Sequence, residues 1–133
     1  MTDLDGRHRV QGLVHRKAVT VHCEETIQRV AEVLADDGIG VVLVVGTDGA
    51  VTGVISERDI VRSVAEGGDL ESMRADDVMT LDLVTIDRGA EIADAAQLML
   101  DADLRHLVVT DHGAPYGVTS VRDVLAAVSR TPV

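Results

Sequence analysis

Two short stretches hold the polar residues best placed to do chemistry. Gly53-Val54-Ile55-Ser56-Glu57-Arg58-Asp59-Ile60 returns as Gly117-Val118-Thr119-Ser120-Val121-Arg122-Asp123-Val124, 64 residues later (117 − 53). Gly, Ser, Arg and Asp keep the same internal spacing in both. Each copy follows a β-like apolar run and leads into a helical pattern, so Ser and Asp fall at a strand-to-helix turn. Helix N-termini carry unpaired N–H groups and the positive end of the helix dipole, and both favour an anion. Ser-x-x-Asp is equally a helix capping box, in which Ser accepts from the third helical N–H and Asp reaches back. The two roles are compatible. A matched second copy, with Gly and Arg in register, favours a duplicated ligand site over caps alone.

The elements that must position these residues repeat as well. Ala18 to Val21 reads as a short strand, and Thr26 to Asp37 as a helix with Ile27, Val30, Ala31 and Leu34 on one face, ended by Gly38. Val41 to Val45 is a continuously apolar, mostly β-branched run, expected to be a strand buried on both faces. Thr47-Asp48-Gly49 turns the chain into a strand from Val51 to Ile55, and Glu57 to Glu66 is a second helix with Ile60, Val61 and Val64 on one face. The series returns as a strand over Leu83 to Ile86, a helix over Glu91 to Ala102 (Ile92, Ala95, Ala96 and Met99) and a strand over His106 to Thr110. A turn at Asp111-His112-Gly113-Ala114, a strand over Tyr116 to Thr119 and a helix over Val121 to Ser129 complete it. The repeat of strand, helix, strand, strand, helix is expected to form an α/β (α+β) pair that buries one half against the other and leaves a cleft between them. The expected division is an N-terminal arm over 1–17 with a short helix or strand around Val10 to Val14, a repeat over 18–68, a polar connector over 69–80 with a short helix, a repeat over 81–130 and a tail over 131–133.

Composition narrows the function. The chain has 133 residues and is 46% hydrophobic, with no Trp, no Phe and a single Tyr, so its core must be aliphatic. No apolar run approaches the ~20 residues of a membrane helix. The N-terminus, with Asp3 and Asp5, does not read as a signal peptide. Cys23 is the only cysteine, which leaves no internal disulfide to form and fits a reducing cytoplasm. A net charge of −11 argues against a phosphate-backbone binder, and scarce aromatics remove a base-stacking platform. A small anion in a locally basic pocket remains compatible with that total. His8, His15 and His22 stand seven apart beside Cys23 but lack the short paired spacings of zinc ligands, and read as solvated histidines. No Gly-x-Ser-x-Gly elbow, His-Glu-x-x-His or Walker loop is present, so no enzyme is expected.

The doubled motif resembles that of the CBS domain, the cystathionine-β-synthase-type module found as tandem pairs. Its pattern of Gly, a hydrophobic residue, any residue, Ser or Thr, two more residues and Asp is met by Gly53, Val54, Ser56 and Asp59, and again by Gly117, Val118, Ser120 and Asp123. Ile39 to Val45, Asp77-Val78-Met79-Thr80 and Leu104 to Val109 resemble the family's flanking segments. The likeness covers about Lys17 to Ser129. Where the family often has Pro in the middle strand this chain has Leu43 and Val108; where it often has Asp at that strand's end, Gly46 stands in the first half and Asp111 in the second.

The resemblance implies a βαββα pair that binds adenosine-containing ligands in clefts between repeats. It implies that Asp59 and Asp123 accept from ribose hydroxyls, and that Ser56 and Ser120 meet ribose or phosphate oxygens. Arg58 and Arg122 would face phosphate or serve as surface charges. Thr20, Val21, Thr85 and Ile86 would line the base pocket, and Val41 and Leu107 would flank the adenine. Arg105 and His106 add positive potential that Gly40 and Val41 do not, so the second site is expected to prefer more phosphates. The reading is a stand-alone, non-catalytic regulatory sensor. No cofactor is required beyond an adenine nucleotide or S-adenosylmethionine as ligand. It is expected to be a cytoplasmic homodimer with an unidentified protein partner, off nucleic acid and membranes. The competing reading is a ligand-free dimerisation or interaction scaffold, with Ser and Asp as caps only.

Overall fold

The computed structural model describes residues 8–14, 17–81 and 84–129. It is mixed α/β, with two three-stranded sheets and five α-helices among the described residues. The first sheet holds β1 (Thr20–His22), β2 (Val41–Val45) and β3 (Val51–Ser56), with helices α1 (Ile27–Asp37), α2 (Glu57–Ala65) and α3 (Ala75–Val78). The second sheet holds β4 (Thr85–Asp87), β5 (His106–Asp111) and β6 (Ala114–Ser120), with α4 (Ile92–Ala102) and α5 (Val121–Ser129). Leu83, where the second series was expected to open, lies outside the described residues, as do His15 and the tail.

Each sheet combines two pairings. β1 runs parallel to β2, with α1 as the crossover that a parallel pair needs, and β2 returns antiparallel as β3. β4, β5 and β6 repeat this order. Thr26 caps α1 by accepting from the Arg29 N–H at 3.2 Å, and Gly38 ends it in the left-handed region at φ +63°. Asp103 ends α4 in the same conformation at φ +53°. The second hairpin is tighter than the first. His112 and Gly113 both take positive φ, as a two-residue turn of mirror-image type requires, so the ladder continues to Thr110–Pro115 and Asp111–Ala114. This is why β6 begins at Ala114, ahead of the expected Tyr116.

The chain divides into two compact units, Val19–Leu83 and Met1–Ala18 with Val84–Val133. The segment leading into each repeat therefore closes the sheet of the other. A 3-10 turn at Val10–Leu13 belongs to the second unit, and α3, in the expected connector, belongs to the first. Their bonding is equivalent, 65 residues apart. The Ile27 N–H donates to the Met73 carbonyl at 2.9 Å, and the Ile92 N–H to that of His8 at 2.9 Å. Ala75 and Val10 both donate at 2.8 Å, to the carbonyls of Glu25 and Ala90. The Arg74 Nη1 reaches the Glu24 carbonyl at 2.6 Å, and the Arg9 Nη1 that of Gly89 at 3.1 Å. Arg88 adds a clasp in the second unit. It donates to Gln11 Oε1 at 3.0 Å, sits 5.4 Å from the Tyr116 ring centre and pairs with Asp111 at 3.3 Å. The Asp111 charge raises its pKa above the usual guanidinium value.

The two cores share six equivalent positions. One is built on Val21, Ile27, Val30, Leu34, Val42, Val44, Ile55 and Ala75. The other is built on Val10, Leu13, Ile92, Ala95, Met99, Leu107, Val109 and Val124. Volume is exchanged between equivalent places: the first unit has Val30 on its helix and Ala75 on its lead segment, the second Ala95 and Val10. The β2 run is buried through Val42, Leu43 and Val44. The apolar face read on α2 divides: Ile60 packs against the core, while Val61 and Val64 are 66% and 57% exposed. On α5, Val124 is buried and Leu125 and Val128 are exposed.

Candidate functional site

Each Ser–Asp pair sits where the third strand of its sheet passes directly into a helix, β3 into α2 and β6 into α5. The Asp59 N–H donates to Ser56 Oγ at 3.3 Å, while the Ser56 N–H and Oγ–H donate to Asp59 Oδ2 at 2.8 and 3.0 Å. In the second unit the Asp123 N–H donates to Ser120 Oγ at 3.2 Å, and Ser120 Oγ–H to Asp123 Oδ2 at 3.1 Å. Both motifs are therefore helix caps. Both pairs are also half-buried, and the Asp59 side chain keeps 12% of its surface exposed.

Strand register sorts the remaining sequence-derived residues by face. Val41 pairs with Ser56, and Thr20 with Leu43, so Thr20, Val41 and Ser56 share the sheet face opposite the helical core. In the second unit His106 pairs with Ser120 and Thr85 with Val108, which gathers Thr85, His106 and Ser120 in the same way. Val21 and Leu107 are core residues, and Ile86 packs against the core from its margin. Leu107 is the counterpart of Val42, and His106 that of Val41; one step along a strand reverses the face. Arg58, Arg105 and Arg122 are exposed.

Three residues at these turns were not read from the sequence as site residues. Arg62 pairs with Asp59 Oδ1 at 3.7 Å, and its counterpart 64 positions on is Ala126. Glu57 opens α2, with its N–H bonded to the Gly40 carbonyl at 3.0 Å; the equivalent bond, from the Val121 N–H to the Arg105 carbonyl, is 2.7 Å. A Cβ placed on Gly40 would stand 3.2 Å from Glu57 Oε1. Among the described residues, no three His, Cys, Asp or Glu side chains converge as metal ligands, and no helix is long and apolar enough to cross a membrane.

Two βαββα bodies with exchanged lead segments, each ending on a Gly-x-x-Ser-x-x-Asp turn, define a tandem repeat protein with duplicated capped-helix sites. The CBS domain model matches residues 8–66 and 75–130, and the chain belongs to the CBS-domain family. The matched spans take in the Val10–Leu13 turn and α3. An uncharacterized protein of Methanopyrus kandleri is 30% identical over 85% of this chain, which spans 59% of that relative's length. Among solved structures, a CBS domain protein from Pyrobaculum aerophilum complexed with AMP is 30% identical. It aligns with a TM-score of 0.79 over 92% of this chain and 99% of its own. The cytosolic domain of the Mg2+ channel MgtE in complex with ATP is 27% identical, with a TM-score of 0.76 over 90% of this chain and 48% of its own.

Proposed function

We propose that this chain is a regulatory module that binds adenosine-containing ligands of the AMP, ADP, ATP or S-adenosylmethionine class at its two Ser–Asp turns. It reports their presence to a protein partner and does not turn them over. The observation that carries this reading is the duplicated, half-buried Ser–Asp pair at a helix N-terminus, in a fold whose Pyrobaculum relative is complexed with AMP. An ionised carboxylate only accepts hydrogen bonds, which suits the two hydroxyls of a ribose, and the helix N-terminus suits a phosphate. Arg58 and Arg122, exposed one residue before each Asp, supply charge toward that phosphate. Thr20, Val41, Thr85 and His106, on the same sheet faces as the serines, offer contacts to the base. The module works as a cytoplasmic homodimer through the apolar residues left exposed on α2 and α5.

Thermal unfolding with and without AMP, ADP, ATP and S-adenosylmethionine tests the reading. At a hundredfold excess over Kd a ligand adds about 2.7 kcal/mol of stability. The Asp59→Ala and Asp123→Ala double variant is expected to lose the ligand-induced shift. The mutual bonding of Ser56 and Asp59 favours a second reading, an interaction scaffold in which these residues only cap. No shift with any adenosyl ligand, and a loss of about 0.5–2 kcal/mol in the double variant, would establish that reading instead.

A further inference from the structure

The two Ser–Asp turns share one backbone and differ in charge, and the geometry points to two ligand classes within one chain. The α5 site takes an adenosyl ligand whose affinity rises with its phosphate charge. The α2 site takes one whose substituent is uncharged or cationic. This inference rests on the adenosyl-binding reading above.

The capping bonds that both sites make agree to within about 0.1 Å, at 3.3 against 3.2 Å and 3.0 against 3.1 Å, and the α2 site adds the Ser56 N–H bond to Asp59 Oδ2 at 2.8 Å. The first helical residue is tied in both units to the residue before the middle strand, Glu57 to Gly40 and Val121 to Arg105. Each tie brings two side-chain positions together beside the cap. At the α2 site these are glycine and glutamate; at the α5 site they are arginine and valine. The space a side chain on Gly40 would enter already holds Glu57 Oε1, 3.2 Å from the position of its Cβ. The residue equivalent to Gly40 beside α5 is Arg105, exposed and without an ion pair among the described residues. These positions therefore differ by two unit charges, of which Arg62, carried by α2 and absent from α5, offsets one; Arg58 and Arg122, present in both, cancel in the comparison.

A second difference acts on the carboxylates. Arg62 holds Asp59 Oδ1 at 3.7 Å, whereas α5 carries Ala126 at that position. The Asp123 carboxylate is hydrogen-bonded only by Ser120 among the described residues, through Oδ2, and its other oxygen carries no ion pair of this kind. With the ligand phosphate several ångströms from these groups in partly solvated surroundings, each added phosphate charge should tighten the α5 site by about fivefold at low salt. Salt should weaken that preference.

Calorimetric titration of the full chain with adenosine, AMP, ATP and S-adenosylmethionine tests this. Asp123→Ala leaves the α2 site to be read by itself, and Asp59→Ala the α5 site. The expected result is an ATP-to-adenosine affinity ratio well above one at the α5 site and near or below one at the α2 site. Arg105→Ala lowers the α5 ratio about fivefold or more and Arg105→Lys restores it; Val121→Glu lowers it, and Glu57→Val raises the α2 ratio. Circular dichroism on each variant confirms folding. Equal ratios at the two sites, or an α5 ratio unmoved by both Arg105→Ala and Val121→Glu, would overturn the inference and leave adenosyl binding intact. Failure of all four ligands to bind the unaltered chain would overturn the adenosyl reading and this inference with it.

Discussion

At the scale of single residues, Thr119 shows where the two halves have diverged inside a shared frame. Its counterpart in the first unit is Ile55, and both positions are 0% exposed. Among the described residues the Thr119 hydroxyl has no hydrogen-bond partner. A buried hydroxyl without a partner forfeits its hydration for nothing in return. Thr119→Val keeps the shape and removes that loss, and is expected to stabilise the protein by about 1–2 kcal/mol in urea unfolding. A loss of stability would show that the hydroxyl is bonded after all. The Ser–Asp caps were legible in the sequence because capping is local, joining residues three positions apart. The Arg62–Asp59 pair is just as local. It stands outside the repeated motif, because position 126 is alanine.

At the scale of elements, the signature glycine has a packing role. Met79, just after α3, lies across β3 at Gly53. A Cβ there would stand 2.6, 2.7 and 2.9 Å from Met79 Sδ, Cγ and Cβ. The last of these atoms cannot swing aside, so Gly53→Ala is expected to cost about 1–3 kcal/mol. Most of that penalty should vanish on a Met79→Gly background in a double-mutant cycle of chemical unfolding; additive effects would show that the methionine is not the obstacle. A short element around Val10 to Val14 and a short helix in the connector were legible in the sequence; which repeat each would close was not, because a four-residue helix carries no periodic face to assign and an isolated one would not persist in water. One signal was available: the 65-residue offset of α1 and α4, extended backward, aligns Arg9 with Arg74 and Val10 with Ala75.

At the scale of the whole molecule, α2 and α5 leave apolar side chains in water that the chain itself does not cover. Val61, Val64, Leu125 and Val128 are 66%, 57%, 62% and 50% exposed. Solitary exposed aliphatics are ordinary, but an i, i+3 pair on each of two equivalent helices fits the proposed homodimer. Sedimentation is expected to give twice 14.1 kDa for the unaltered chain and 14.1 kDa for Val64→Glu combined with Leu125→Glu. A double variant that still sediments as a dimer would move the interface off these helices. The exchange of lead segments adds a consequence at this scale. Neither βαββα body is complete with only its own contiguous stretch, because Ala75 fills one core and Val10 the other.

The amino-acid sequence by itself determined the repeat, the order of strands and helices, and the capped turns. These depend on residue periodicity and on contacts a few positions apart. It also implied the family, through one short motif doubled in matching context. Only the tertiary structure decided which lead segment closes which sheet, because those hydrogen bonds join residues as far apart as Arg9 and Gly89. It also decided that Leu107 is core while His106 shares the serine's face, since register and not composition assigns a face. And it set Glu57 beside Gly40 and Val121 beside Arg105, which adds Glu57 to a charge difference already legible in the sequence at Arg105.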